Sequence, residues 1–159
     1  MVAETSDNAR ELFFSNPGND IVSGWAFATT NLAAEFAEFS RRRFIGGADR
    51  EPCWPYMVEH GHPDASAEDD GWRIAGFAGQ IAVPPGGEES IVFAIGQTET
   101  REQAAKLALR VRDIENARQA LQAVKDYWRE TLSVARIETN RPEFDRLVND
   151  WLPYQLLTS

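Results

Sequence analysis

The stretch "EHGHPD", residues 59–64, sets Glu59, His60, His62 and Asp64 within six positions, and these are the side-chain types that ligate zinc and other divalent ions. The two histidines stand two apart in a segment containing Gly61 and Pro63, which is not the helical spacing that puts two imidazoles on one metal. A solvated loop is the expectation, and no metal ligand is assigned. Asp69 and Asp70 are adjacent carboxylates in a Gly-containing stretch and read as a turn rather than an acid–base pair. In "PCWPY", residues 52–56, Trp54 and Tyr56 offer broad apolar faces that could stack on a sugar ring, but by residue type alone the expectation is a loop anchored in a small core of its own. Ser, His and Asp occur without a nucleophile-elbow motif, so nothing supports a hydrolase triad. Gly46, Gly47, Gly86 and Gly87 have no phosphate-loop spacing. The run "RRRF", residues 41–44, reads as a solvated face, since the chain as a whole is acidic. No catalytic residue is nominated.

The chain has 159 residues, 43% hydrophobic and 26% charged, a globular composition long enough for one domain or for one domain and part of another. Nothing approaches about 18 consecutive apolar residues, so no membrane span is expected. The start shows neither a basic leader nor an apolar stretch of secretory type. Cys53 is the lone cysteine and agrees with a reducing, cytoplasmic setting. A net charge of −9 opposes contact with phosphate backbones, so nucleic acid is not an expected partner.

Two regimes meet near Gly96. Before it, short apolar blocks alternate with Gly, Pro, Asn and Asp, as strands and turns do. "ARELFFS" (9–15) and "IVSGWAFAT" (21–29) suit neighbouring strands across the turn "NPGND". "TTNLAAEFAEFSRRRFIGG" fits either a short helix or an irregular strand, and a long loop is expected from Ala48 to Gly71. "WRIAGFAGQIAV" (72–83), "PPGG" and "EESIVFAIG" (88–96) read as a hairpin apolar on both faces, hence covered twice.

After Gly96 the apolar spacing turns helical. Thr100 and Gln103 have capping-box spacing ahead of Ala104, Leu107, Ala108 and Val111. Asp113 restarts the pattern, and Ala117, Leu121, Val124, Trp128 and Leu132 share a stripe through Ser133; Trp128 is expected to be a buried anchor. After "VARIET" (134–139), Asn140 is the expected cap of a third helix with Pro142 in its first turn and Phe144, Leu147, Val148, Trp151 and Leu152 on one face. Pro153 should kink or end it. Trp151, Leu152, Tyr154, Leu156 and Leu157 are too many apolar groups for this chain to cover.

"FDRLVNDWLPYQLLTS" resembles the entry to the helical barrel of the inverting disaccharide phosphorylases, glycoside hydrolase family 94, where a similar N-x-W-x-x-Y-Q passage leads into an Arg and an aromatic-rich run. "IAVPPGGEESIVFAIGQTETREQAAKL" looks like the same family's strand, PGE turn, strand and helix, and "AVKDYWRETL" is similar to its linker helix. The order and spacing cover residues 72–159, with a looser likeness before Ala48.

The resemblance implies an α+β chain: the C-terminal part of an antiparallel, galactose mutarotase-like β-sandwich over 1–97, a helical linker over 98–139, and the first helix of a truncated (α/α)6 barrel over 140–159. It further implies a non-catalytic portion of an inverting phosphorylase or of a cyclic β-1,2-glucan synthase-type enzyme, acting on a β-glucan or disaccharide. Inorganic phosphate would be its co-substrate and no cofactor is needed. Phosphate attacks the anomeric carbon, so a single protein acid suffices, and the family's aspartate lies farther along the barrel. A sandwich loop covers the substrate mouth in this family, which favours Trp54 and Tyr56 as substrate-binding residues. Members often pair their subunits, which makes a homodimer one implied arrangement. The alternative is a freestanding glycan-binding sandwich module with a helical interaction tail.

Overall fold

The computed structural model describes residues 2–6, 8–18, 23–47, 53–133 and 136–158. Expectations placed on Ile21 and Val22, on Ala48, on residues 134–135 and on the side chain of Leu157 lie outside the described residues. Residues 1–117 form one compact unit and 118–159 a second.

In the first unit β1 (Val2–Thr5), β2 (Glu11–Ser15), β3 (Trp25–Thr30) and β6 (Phe93–Thr98) make an antiparallel sheet in the order β1-β2-β3-β6. The expected pairing of the first two apolar blocks is present as β2 against β3, with Phe13 opposite Phe27. Strand alternation sends Phe13 and Phe27 to one face and Leu12 and Ala28 to the other, and all four are buried. On the first face lies α3 (Arg101–Val111), which turns Ala104 and Ala108 toward the two phenylalanines with Trp25, Leu107 and Val111 around them. The two alanines let the helix backbone approach the sheet closely. Gly96, paired with Phe27 on the neighbouring strand, makes room for that ring, because a Cβ there would lie 2.6 Å from it. This is the main core.

α3 starts as expected. The Thr100 hydroxyl accepts from Gln103 N and the Gln103 side chain accepts from Thr100 N, a full capping box. Both ends are tied to the sheet by ions. Arg101 meets Glu4 at 3.0 Å while its guanidinium lies 3.3 Å from the centre of the Phe13 ring. Arg112, just past the helix, pairs with buried Glu11.

β4 (Ala34–Ser40) pairs antiparallel with β5 (Arg73–Gly79) in a separate two-stranded sheet, irregular at Ala34/Phe36 and Glu38/Ser40. The ambiguous stretch is therefore a strand that passes at Ser40 into a one-turn helix, α1 (Arg41–Ile45), which Ser40 caps. The expected hairpin is overturned. The "PPGG" turn exists, with Gly87 N donating to Pro84 O at 2.9 Å, but its arms diverge: β5 goes to β4 and β6 to β3. A turn signal constrains only the residues beside it, and both arms found partners of longer sequence separation. Double cover fails as well, since Trp72, Phe93 and Ile95 are exposed. The expected long loop contains a further turn of helix, α2 (Tyr56–His60), pinned by buried Met57.

α4 (Ile114–Leu132) starts in the last residues of the first unit, with Asn116 N bonded to the Asp113 carboxylate, runs on into the second, and carries no buried residue. Leu121 and Val124 are more than half exposed and Trp128 is only half-buried, so the expected buried anchor is corrected to a partly covered one. The Trp128 ring is met by Tyr127 at 5.5 Å and by Tyr154 at 5.4 Å, which cover it in part. α5 (Pro142–Arg146) starts one residue later than expected, with Arg141 at the N-cap and Pro142 in the first turn. Asn140 does not cap it. Instead the Asp145 carboxylate reaches back to Thr139, accepting from its N at 3.0 Å and its hydroxyl at 2.6 Å. A π-helical turn over Leu147–Trp151 then leads into α6 (Leu152–Thr158). The wide turn stands just ahead of Pro153, whose ring nitrogen cannot donate to the carbonyl four residues back, and the helix accommodates it there rather than ending.

Candidate functional site

Around α2, the first unit gathers the aromatic and titratable groups that the sequence singles out. Pro55 precedes the turn and Gly61, at φ 76°, closes it with its N–H on Met57 O. This brings residues 56 and 60 onto one side, where the Tyr56 and His60 rings stack at 4.0 Å and 12°. His62 meets the Tyr56 ring edge-on at 5.5 Å and lies 6.2 Å from Phe36. His60 Nδ1 is 3.0 Å from Tyr56 O and His62 Nδ1 is 3.1 Å from Pro63 O. A carbonyl only accepts, so both rings carry a proton at Nδ1. One face of Tyr56 is thus taken by imidazole, whereas Trp54 stands 70% exposed.

The remaining polar candidates serve the local fold. Asp64 accepts from Ser66 N and Oγ at 2.9 and 2.6 Å. Asp70 accepts from Trp72 N at 3.1 Å. Asp69 holds Arg73 through both oxygens at 2.7 Å, and that guanidinium together with the Gly71 N–H keeps its carboxyl below the ordinary aspartate value. Arg43, in the basic run, lies 3.8 Å from buried Glu38, whose Oε1 accepts the Phe39 and Ser40 amides. Among the described residues, no three His, Cys, Asp or Glu side chains gather where a metal ion could sit, and no helix is long and apolar enough to cross a membrane.

In the second unit a groove of about 640 Å3 opens between α4 and the α5–α6 segment. Trp128, Leu132, Leu147, Trp151 and Tyr154 line it, and Glu143, Arg146 and Asp150 stand around them. The Tyr154 ring lies 5.4 Å from that of Trp128 and 6.2 Å from that of Trp151. Asn149, in the same helical segment, is 3% exposed: its side-chain amide donates to Ile137 O at 2.7 Å and its Oδ1 accepts from Ile137 N at 2.8 Å, imitating one rung of a sheet. Of the passage "NDWLPYQ", then, Asn149 ties the unit together while Trp151 and Tyr154 face the groove. The polar rim was missed in the sequence, although Glu143, Arg146 and Asp150 recur at the same three- and four-residue steps as Leu147, Trp151 and Tyr154.

Comparison with known proteins gives two findings. The family model for the glycosyl hydrolase 94 supersandwich domain matches residues 1–114, which include both sheets, α2 and α3. The cyclic beta-(1,2)-glucan synthase NdvB of Rhizobium meliloti (strain 1021) is 27% identical over 158 residues, covering 99% of this chain and 6% of the relative's own length.

Proposed function

Because this chain belongs to the glycosyl hydrolase 94 supersandwich-domain family, we propose that it supplies the non-catalytic sandwich and helical linker of an inverting carbohydrate phosphorylase or cyclic β-1,2-glucan synthase-type enzyme. The observation that carries this is the family match over residues 1–114, up to the start of α4. In the proposed reaction a phosphate oxygen bonds to the anomeric carbon of a β-linked glucoside as the glycosidic C–O bond breaks, and the leaving oxygen takes a proton from a barrel acid outside these residues. The substrate is a β-glucan or disaccharide, phosphate is the co-substrate, no cofactor takes part, and the setting is cytoplasmic. The π-turn and α6 would form the first barrel helix. Trp54 and Tyr56, on the loop that α2 stiffens, would contribute to the substrate mouth, with the exposed Trp54 ring the better placed to stack on a sugar.

Replacing the counterpart segment of the relative with this chain tests the reading. Retained glucan synthesis or phosphorolysis supports it, and a folded but inactive chimera counts against it. Release of a sugar 1-phosphate by the purified chain alone would overturn the non-catalytic assignment. One observation keeps a second reading in play: Trp54 and Trp72, both 70% exposed, suit a freestanding glycan-binding module. Calorimetric titration with β-glucans separates the two, since only in the module does Trp54→Ala abolish binding without the barrel.

A further inference from the structure

In the first unit a cleft of about 280 Å3 opens where the connection from β3 to β4 meets both ends of the β5–β6 link, and neither Trp54 nor Tyr56 lines it. Its walls are fixed from two sides. The Asn31 side chain donates to Ser90 O at 3.1 Å and accepts from Val92 N at 2.8 Å, while its backbone N–H donates to Val92 O at 3.3 Å. Gly79 ends β5 without a Cβ, which would lie 2.6 Å from Ala33 O and 3.2 Å from Leu32 Cγ, so the β3–β4 connection closes directly on that strand. The cleft is therefore preformed, and a ligand need not order it.

The lining narrows the ligand. Gln80 and Glu89 face each other in sequence across the link, and among the described residues neither the carboxamide nor the carboxylate has a hydrogen bond or ion pair within the chain. Leu32, Ile81 and Ile91 add aliphatic walls, the two isoleucines 42% and 43% exposed. No Lys, Arg or His lines the cleft, and Glu88 stands beside Glu89, so an anion is disfavoured. A single lining carboxylate falls short of the oxygen ligands that a hard cation requires. What fits is a neutral ligand rich in hydroxyls, because a hydroxyl can donate to Glu89 and accept from Gln80 while a ring's C–H face rests on the isoleucines.

We propose that this cleft is a non-catalytic holding site for one neutral glucosyl unit of a glucan whose reacting end lies elsewhere. The choice of sugar rests on the glucan reading above, whereas neutrality and hydroxyl chemistry follow from the lining. Amide NMR titration of the full chain with the β-1,2-linked disaccharide of glucose tests it, up to about 50 mM, where a Kd near ~5 mM fills most sites. The Asn31, Gln80 and Ser90 amides should shift. Gln80→Ala and Glu89→Ala should each raise the Kd by about tenfold, and Ala82→Trp, which fills the cleft from an exposed position, should abolish the shifts. Glucose 1-phosphate should bind about tenfold more weakly than methyl β-glucoside, since its charge meets Glu89. Trp54→Ala should change nothing here, unlike in a freestanding module. The same spectra report whether each variant is folded. Silent cleft amides, shifts that survive all three cleft variants, glucose 1-phosphate binding as tightly as the glucoside, or shifts lost with Trp54→Ala would each overturn the proposal. A silent cleft leaves the proposed function to the chimera, and an inactive chimera would remove that reading while a sugar response at the cleft stood.

Discussion

Asp69 is an exposed carboxylate whose two oxygens hold Arg73 and whose Oδ1 also takes the Gly71 amide, and these contacts favour its charged form. A carboxyl with a lowered folded-state pKa stabilises the protein above its unfolded value. That contribution fades as pH falls below about 3.8 toward the folded value. NMR titration should place the Asp69 midpoint below that of Asp69 in the unfolded chain, and Arg73→Gln should raise it; an unmoved midpoint would show that the contact is not populated. Glu11 is a different case. It is buried beside Arg112, so Glu11→Ala leaves a guanidinium facing a low-dielectric wall and should cost about 3–5 kcal/mol in urea unfolding. Replacing the pair together, Glu11→Leu with Arg112→Met, should recover most of that loss, because the cost lies in the stranded charge more than in the missing attraction.

Among the elements, α3 depends on local signals, and Thr100→Ala should lower stability by about 1 kcal/mol by removing the acceptor for Gln103 N. Gln103→Ala should cost less, and a thermal melt of both variants checks the order. Local signals are also why α3 was legible: cap, periodicity and small residues all act between Thr100 and Val111. The same holds for the pairing of β2 with β3, which are neighbours in sequence. What escaped the sequence was non-local. β5 and β6 flank a turn yet belong to different sheets, because each pairs with a strand far off in sequence, Ser40 with Arg73 at the nearest and Trp25 with Thr98 at the farthest. Cap choice at α5 was lost to competition, as Thr139 and Asp145 bind each other and leave Asn140 outside. As for the candidate site, the aromatic types at residues 54 and 56 could be read directly. The stacking of Tyr56 on His60 could not, since it required the α2 turn inside an apparent loop. The groove was half legible: its apolar residues were expected to lie uncovered, but its charged rim was not recognised.

At the scale of the whole molecule, the buried apolar side chains among the described residues, from Leu12 to Ala108, all lie in the first unit, while the second buries only Asn149. Amide exchange should therefore separate the two, with β2, β3 and α3 exchanging through the rarest openings and α4 through commoner ones. Equal protection in α3 and α4 would show that the second unit is covered in solution. Within the first unit, every residue from Gln80 to Ile91 is exposed and none belongs to a strand, although this stretch links β5 to β6. Such a link is where a protease would cut. A nick between Pro84 and Gly87 would leave β6 laddered to β3 from Phe93 to Thr98, with α3 still seated on Phe13 and Phe27. The two pieces should elute together in native buffer and part only in denaturant. The chain would then be a natural split protein, able to reassemble from halves expressed separately.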